Sequence, residues 1–168
     1  MNILQFRRAT GEDFSAVYQQ YMHPSINPYL AFDLATEEAF YTIYQKLLGD
    51  GELVIVLHEE RIVGSYHLFN KQYRQADTVY LATLVITASE AGRGFGAITL
   101  RHIIDSMTSL GKNRIELEVS VNNAKAIRLY QKAGFVIEGT IRQSYRIAPF
   151  AAYHDDYLMA LLLLEQKQ

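Results

Sequence analysis

Glycines placed between an apolar run and a helical pattern could bring backbone amides against a phosphate. The run Leu84-Val85-Ile86 is typical of a buried strand, and Gly92-Arg93-Gly94-Phe95-Gly96 follows it closely. Glycine has no Cβ, so the chain can bend sharply there and its N–H groups can lie directly against a ligand. A helix predicted from Phe95 to Leu110 adds the positive end of its dipole, which favours an anion at the turn. A purely structural strand-to-helix turn also uses glycines, so this motif alone leaves both interpretations open.

A second motif favours the phosphate-binding interpretation. It is Asn123-Ala124-Lys125-Ala126-Ile127-Arg128-Leu129-Tyr130-Gln131-Lys132-Ala133-Gly134-Phe135. Together with the glycine loop it resembles the signature of the GNAT superfamily of acetyl-coenzyme A-dependent N-acetyltransferases, in the family's order and at about its spacing. The resemblance covers most strongly residues 80 to 160. It implies direct transfer of the acetyl group of acetyl-coenzyme A (acetyl-CoA) to a primary amine within a ternary complex, with coenzyme A (CoA) as the product.

The same resemblance implies roles for individual residues. The glycine loop would hold the cofactor pyrophosphate, Asn123 would reach the cofactor from the next helix, and a free N–H near the end of the strand would face the thioester oxygen. Tyr130 would act as the general acid, or would donate a hydrogen bond to the sulfur. The family usually begins its loop with Gln or Arg, whereas Ala91 stands here, which puts one side-chain contact in doubt. The cofactor-binding positions carried over are Leu84, Val85, Ile86, Gly92, Arg93, Gly94, Phe95, Gly96, Ala97, Asn123, Ala126 and Tyr130.

The residues of the second motif also have structural interpretations. Asn at the start of a helix is commonly an N-cap, and either Asn122 or Asn123 could fill that position. Tyr130 could simply pack with Leu129 and Phe135. A module that binds coenzyme A without turnover is the alternative of a different class, and Ala91 is the only residue that hints at it.

A dinucleotide-binding enzyme is the main rival, because Gly92 to Ala97 matches the G-x-G-x-x-G/A fingerprint. Glu116 and Glu118 even follow about 20 residues later, where that fingerprint expects an acidic residue. Three observations weigh against it. The glycines lie in mid-chain behind a predicted hairpin, too few residues remain for a full dinucleotide sheet, and the motif from Asn123 to Phe135 would have no role.

Composition excludes several other classes. The chain has 168 residues, 49% hydrophobic and 20% charged, which suits a single domain over residues 1–168. Its net charge of −2 offers no broad basic surface for nucleic acid. No apolar run approaches the length that spans a bilayer and no signal peptide is evident, so we expect no membrane association and a cytoplasmic location. Without cysteine there is no thiolate metal site and no cysteine nucleophile. The five histidines lack metal-site spacing, so no metal is expected.

The pattern of elements predicts an α+β fold with a GNAT-like architecture. We expect a central, mixed, mostly antiparallel sheet of about seven strands flanked by about four helices. The predicted strands are 3–8, 52–59, 61–69, 78–87, 114–121, 135–147 and 153–164. Two predicted helices begin after Thr10 and after Thr36. A third runs from Phe95 to Leu110, with Ile98, Ile103, Ile104 and Met107 as its apolar positions. A fourth runs from Ala124 to Lys132.

The motifs do not name the acceptor amine or the general base. A small amine or amino acid is the first choice of acceptor, and a peptide or ribosomal-protein N-terminus is the second. The candidate acceptor-binding residues are Asn27, Tyr29, Asp33 and Tyr145. A water relay to a carboxylate or to His67 is open as the proton acceptor, and the pair Glu116 and Glu118, on one face of a strand, is either catalytic or merely solvated. A homodimer is common among relatives, and the sequence leaves the oligomeric state open.

Overall fold

A single mixed sheet organises the chain. The computed structural model describes residues 3–148 and 151–163, and within them it has seven strands and four α-helices. The strands are β1 (Leu4–Arg8), β2 (Glu52–His58), β3 (Arg61–Asn70), β4 (Thr78–Ile86), β5 (Arg114–Ser120), β6 (Val136–Tyr145) and β7 (His154–Leu162). The helices are α1 (Phe14–Tyr21), α2 (Glu37–Gly49), α3 (Phe95–Ser109) and α4 (Ala124–Lys132).

The strand order in the sheet is β1-β2-β3-β4-β5-β7-β6. The pairs β1–β2, β2–β3, β5–β7 and β6–β7 are antiparallel, and β4 pairs with β5 in parallel over Thr78–Tyr80. The predicted α+β class, the seven strands and the four helices are therefore confirmed.

The residues fall into two compact units. Unit 1 contains residues up to Phe69 together with Ala82–Thr99, and unit 2 contains Asn70–Leu81 together with residues from Leu100 onward. The prediction of a single domain over residues 1–168 stays a prediction.

Unit 1 contains the hairpin of β2 and β3 that the two β-branched, apolar runs and the charged turn between them predict. Its two turn residues, Glu59 and Glu60, have φ values of 49° and 64°. Positive φ at both central positions is the type I′ turn, whose twist matches that of the flanking strands. The hairpin therefore forms with glutamates in a conformation that usually takes Gly, Asn or Asp.

The entry to α1 is fixed by charge and capping. Thr10 and Asp13 form a capping box at a short 3-10 turn, Gly11–Asp13, that leads into the helix. Both carboxylate oxygens of Asp13 accept 2.7 Å hydrogen bonds from the Arg7 guanidinium. These hydrogen bonds from Arg7 lower the pKa of Asp13 and outweigh the opposing effect of burial. Thr10 therefore caps the short turn from which α1 continues, in agreement with the helix predicted to begin after Thr10.

Helices α1 and α2 enclose an aromatic core in unit 1. Tyr21, Phe40 and Tyr44 are fully buried in the same cluster, and the rings of Tyr21 and Phe40 lie 5.7 Å apart. The Tyr44 hydroxyl donates to the Thr10 carbonyl oxygen at 2.5 Å, which satisfies a polar group that burial would otherwise leave unpaired. The core thus ties the start of α1 to α2.

In unit 2, strand β5 alternates between a buried and a more exposed face. Ile115, Leu117 and Val119 are buried, as the sequence pattern predicts. Antiparallel β7 pairs with β5 from Arg114↔Leu162 to Ser120↔Asp156, and β6 pairs with the other edge of β7. In β6 a bulge places Gln143 at φ 54°, and its N–H donates to Asp155 Oδ1 at 2.8 Å.

The predicted apolar face of α3 needs one correction. Ile103, Ile104 and Met107 are buried, but Ile98 is 36% exposed. The buried stripe runs through Phe95 and Leu100, and at 100° per residue Ile98 falls on the opposite side of the helix. Several element ends also differ by one or two residues, and Leu164, in the predicted last strand, lies outside the described residues. In the described chain, no helix has the length and apolar character needed to cross a membrane.

Candidate active site

The glycine loop in unit 1 leaves open space beside its backbone. Gly92 and Gly94 have φ values of +84° and +83°, a left-handed conformation that side chains disfavour. Apart from chain neighbours, a Cβ built on either glycine meets no atom within 4 Å. The backbone turn therefore requires glycine, and the protein does not itself fill the space next to it.

The loop leads directly into α3, which begins at Phe95. The N–H groups of Ala97 and Ile98 donate to the Gly94 carbonyl oxygen at 3.1 and 3.2 Å. The first N–H groups of any helix have no intrahelical partner, and the helix dipole is positive at that end. Open glycines followed by a helix N-terminus fit a pyrophosphate such as that of CoA.

The side chains of the loop hold it in shape. Arg93 forms an ion pair with Glu90, and its guanidinium carbon lies 4.7 Å from the centre of the Phe95 ring. Phe95 is 1% exposed, and its other contact is the buried imidazole of His58, 4.9 Å away. Phe95 is thus a core residue that anchors the start of α3. Ala91, where the family usually has a longer polar residue, is exposed.

The carboxyl end of β4 lies against β3 more closely than side chains would allow. Val85 is buried, whereas Leu84 and Ile86 are half-buried. A Cβ on Gly64 of β3 would lie 2.5 Å from the Val85 carbonyl oxygen and 2.9 Å from Ile86 Cδ1. Gly64 therefore permits the close strand approach at Val85 and Ile86, two of the three residues predicted to face the thioester.

In unit 2, Asn123 caps helix α4. Its Oδ1 accepts a 3.2 Å hydrogen bond from the Ala126 N–H, so of the two neighbouring asparagines it is Asn123 that caps. Asn122 instead places its amide nitrogen 3.3 Å from His154 Nδ1. The helix ends as predicted, with Gly134 left-handed at φ 97°. Asn123 and Ala126 are thus placed together by helix capping, and their contact with a cofactor stays a prediction.

Tyr130 is buried near the end of α4. Its side chain is 8% exposed, and its ring centre lies 5.7 Å from that of Phe135. Burial raises the pKa of its hydroxyl, and no other group contributes to the shift. Tyr130 therefore packs on Phe135, and burial keeps its phenol protonated.

Glu116 and Glu118 share a face of β5 but differ in their surroundings. Glu116 forms ion pairs with Lys71 and with Arg114, whose Nε is 3.0 Å away. Burial alone would raise the pKa of Glu116, but the hydrogen bonds from the two cations outweigh it and the pKa is lowered. Burial raises the pKa of Glu118, and the nearby charge of Asp156 adds to the effect. Of these two glutamates, only Glu118 combines exposure to solvent with an elevated pKa.

His67 has the surroundings of a structural residue. It is 1% exposed, and its Nε2 lies 2.5 Å from the Asp50 carbonyl oxygen. Burial lowers its pKa despite that hydrogen bond. In the part of the chain that the structure describes, no group of three or more His, Asp or Glu side chains could hold a metal ion.

The four residues predicted to bind the acceptor amine differ in their hydrogen bonding and in their exposure to solvent. The Asn27 amide nitrogen donates to the carbonyl oxygens of Tyr21 and Phe32, both at 3.0 Å, which fixes the segment after α1. Tyr29 and Asp33 of the same segment are exposed. In unit 2, Tyr145 donates to Ser120 Oγ at 3.1 Å and stacks on His154. Their roles in substrate binding stay predictions, with Tyr29 and Asp33 the most accessible.

Unit 1 brings together the glycine loop and the end of β4, and unit 2 contains Asn123, Ala126 and Tyr130. Two features of the site carry no local signal in the sequence. One is Asp156, which influences Glu118 because β7 lies beside β5, an adjacency that no local pattern signals. The other is Gln20, a buried amide of α1 that contacts Thr87 just before the loop. A polar residue in a helix carries no sequence signal for such a contact.

The chain is similar to known N-acetyltransferases. The acetyltransferase (GNAT) family profile matches residues 7–135. A spermidine N(1)-acetyltransferase of Vibrio cholerae is 28% identical over 124 residues, which cover 71% of this chain and 68% of that protein. An L-amino acid N-acetyltransferase of Escherichia coli is 27% identical over 164 residues, covering 95% of this chain and 98% of the other.

The fold also matches a solved structure. The crystal structure of the spermidine N-acetyltransferase from Vibrio cholerae, in complex with CoA and spermine, superposes with a TM-score of 0.85 over 98% of both chains at 22% sequence identity. This fold, with its antiparallel pairs on both sides of β4–β5, does not accommodate the parallel sheet that a dinucleotide-binding enzyme requires. The dinucleotide alternative is therefore excluded.

Proposed function

The chain belongs to the acetyltransferase (GNAT) family and is an acetyl-CoA-dependent N-acetyltransferase, and from this premise we propose that its acceptor is a small primary amine or amino acid. The observation that carries the site assignment is the glycine loop, with its two left-handed glycines beside open space at the start of α3. The two relatives act on spermidine and on L-amino acids, which both present a primary amine.

We assign the cofactor phosphates to backbone donors of unit 1. The N–H groups from Gly92 to Gly96 would hold the pyrophosphate, since the Ala97 N–H already donates to the Gly94 carbonyl oxygen. The end of β4 from Leu84 to Ile86 would hold the acetyl end. When bound, acetyl-CoA supplies an activated acetyl thioester. Backbone donors on a strand and helix need no rearrangement during the reaction, which is the condition under which hydrogen bonds stabilise a developing oxyanion. Arg93, paired with Glu90, contributes positive charge beside the loop.

Tyr130 would donate a hydrogen bond to the departing sulfur. An ordinary phenol, with a pKa of about 10, is already a weaker acid than a thiol with a pKa of about 8.5. Burial raises the pKa of Tyr130 further, so full proton transfer to a free thiolate becomes less favourable. A hydrogen bond that strengthens as negative charge develops on sulfur does not have this cost. A hydroxyl that burial keeps protonated suits that role.

Glu118 would accept the proton of the acceptor ammonium, directly or through water. A better base is one with a higher pKa, and burial together with Asp156 raises the pKa of Glu118. Glu116 suits this role less well, because its ion pairs with Lys71 and Arg114 stabilise its charge. His67 also suits it less well, because it is buried and hydrogen-bonded to the Asp50 carbonyl oxygen.

Thiol release measured with a panel of acceptors tests this proposal. We expect acetyl-CoA-dependent turnover with spermidine or with one or more L-amino acids, and slower turnover with a peptide that has a free N-terminus. We expect Glu118→Gln to lower kcat by about 10²-fold or more. Glu116→Gln is the matched control two residues away, and it should lower stability more than it lowers kcat. Turnover on the peptide alone would reject the small-amine proposal, and an unchanged kcat in Glu118→Gln would reject the base.

A further inference from the structure

A buried amide connects helix α1 to the residue that begins the turn into the glycine loop. Gln20 is 3% exposed and lies in the last turn of α1. Its Nε2 donates to Thr87 Oγ1 at 3.2 Å, and its Oε1 accepts from Ser65 Oγ at 2.7 Å. Both ends of the amide are therefore paired, one with β3 and one with the residue that follows β4.

Thr87 is held from a second direction. Its N–H donates to the Val63 carbonyl oxygen of β3 at 2.9 Å, and its own carbonyl oxygen accepts from Glu90 N at 2.9 Å. Glu90 is the residue that pairs with Arg93 of the loop. A continuous set of hydrogen bonds thus leads from Gln20 through Thr87 to the glycine loop.

Tyr21, the next residue of α1, contacts β4 four residues before Thr87. The Tyr21 hydroxyl lies 2.9 Å from Thr83 Oγ1 of β4, and both side chains are buried. Hydrogen bonds from α1 therefore hold the residue before the segment Leu84 to Ile86 and the residue after it. Apolar packing alone would tolerate a sliding strand, whereas paired amide and hydroxyl groups have directional requirements and a cost if left unpaired.

Gln20 also lines a cleft of unit 1 that contains the same turn. The cleft walls come from α1, from the segment that follows it and from the turn before the glycine loop, including His23, Ile26, Thr87 and Ser89. Gln20, Thr87 and the segment after α1 therefore line the same cleft.

We infer that Gln20 is a positioning residue for the cofactor: its buried amide fixes Thr87 and so sets the geometry of the β4 end and the glycine loop. This inference rests on the proposed placement of acetyl-CoA at that loop. Gln20 itself need not touch the cofactor. Removing the Gln20 amide should therefore weaken acetyl-CoA binding by more than the accompanying loss of folding stability explains.

The test compares the affinity for acetyl-CoA and the unfolding midpoint in four variants of the full chain. Gln20→Leu removes both hydrogen bonds at similar volume, and Thr87→Val removes only the acceptor hydroxyl. Thr87→Ser keeps that hydroxyl and is the rescue variant. Tyr44→Phe removes a buried hydrogen bond to Thr10 in the same unit and is the control for a purely structural loss.

We expect the dissociation constant of acetyl-CoA, measured by titration calorimetry, to rise about fivefold in Gln20→Leu and Thr87→Val, the effect of roughly 1 kcal/mol. Thr87→Ser and Tyr44→Phe should stay within about twofold of the parent, although Tyr44→Phe lowers the midpoint. If the parent binds acetyl-CoA normally and both Gln20→Leu and Thr87→Val bind it equally well, the positioning role of Gln20 is overturned and the cofactor proposal stands. Absence of binding by the parent overturns the cofactor proposal and this inference together.

Discussion

The glycine loop and the α4 motif present different kinds of chemical group. The loop, Gly92 to Ala97, offers backbone N–H groups, and its two left-handed glycines have no crowding from the chain. The α4 motif offers side chains, and those side chains also build the helix: Asn123 caps its first turn and Tyr130 packs on Phe135. A substitution in the loop therefore acts through backbone geometry, whereas a substitution in α4 mixes chemistry with folding.

This difference decides which variants are informative. In the loop, strain and ligand binding can be separated by comparing glycines with similar φ at different places. In α4, each functional test needs a substitution that keeps the structural contact and removes only the functional one.

Gly94→Val should have the largest effect. Valine at φ +83° is strained by about 1–2 kcal/mol, and its side chain would occupy the open space beside the loop, so we expect loss of acetyl-CoA binding by calorimetry. The loss does not come from a clash with the chain, since a Cβ at Gly94 meets no other part of it. The obstruction would be to the ligand.

Gly111→Val is the matched control for backbone strain. Gly111, after the end of α3, has φ +71° and equally open surroundings. Both variants should lose similar stability in thermal unfolding, but only Gly94→Val should lose the cofactor. Equal cofactor affinity in the two variants would mean that the loop is a structural turn.

Tyr130→Phe should lower kcat by about 10²-fold and leave the affinity for acetyl-CoA within about twofold. The substitution removes only the hydroxyl and keeps the ring that packs on Phe135, so the unfolding midpoint should change little. Phe135→Leu, which disturbs the packing and keeps the hydroxyl, should instead lower the midpoint more than kcat. Steady-state kinetics of both variants with a good acceptor separate the two roles, and an unchanged kcat in Tyr130→Phe would remove the hydroxyl from the mechanism.

Asn123 requires a pair of variants. Asn123→Ala removes the cap and should cost about 0.5–2 kcal/mol of stability, whereas Asn123→Ser keeps a capping oxygen and should cost little. If Asn123 also contacts the cofactor, both variants weaken acetyl-CoA binding, although only Asn123→Ala is destabilised. Normal affinity in Asn123→Ser would limit this residue to capping.

Asp156→Asn should have the smallest effect, a shift in pH dependence. The base must be ionised to accept a proton, so activity falls as the pH decreases through the pKa of Glu118. Burial and the charge of Asp156 raise that pKa. Removing the charge should therefore move the acid limb of kcat/KM to lower pH, while Asn keeps an acceptor for the 2.7 Å hydrogen bond from Ser144. The acceptor amine titrates identically in both proteins, and an unmoved acid limb would contradict the base assignment.

Local signals explain what the sequence predicts well. The ends of α4 match the prediction, because a capping asparagine and a left-handed glycine at position 134 act within a few residues. The hairpin of β2 and β3 and the cap at Thr10 are local in the same sense. The two motifs that place the chain in its family are also short and continuous.

Long-range contacts explain what the sequence does not predict. The insertion of β7 between β5 and β6 brings Asp156 near Glu118, although 38 residues separate them in the chain. Gln20 and Thr87 are 67 residues apart. Asn27 has the polarity of a binding residue, yet its amide nitrogen bonds to the carbonyl oxygens of Tyr21 and Phe32. Residue type alone does not reveal which partner a polar side chain will have.

Thermal unfolding of the parent protein with acetyl-CoA, and separately with NAD, tests the central claim most directly. A ligand present at 100 times its dissociation constant stabilises the native state by about 2.7 kcal/mol, which for a chain of this size raises the midpoint by roughly 5–10 °C. The account predicts that rise with acetyl-CoA and no rise with NAD at the same concentration. A rise with NAD alone, or an unchanged midpoint with acetyl-CoA, would contradict the assignment of the glycine loop to the cofactor of an acetyltransferase.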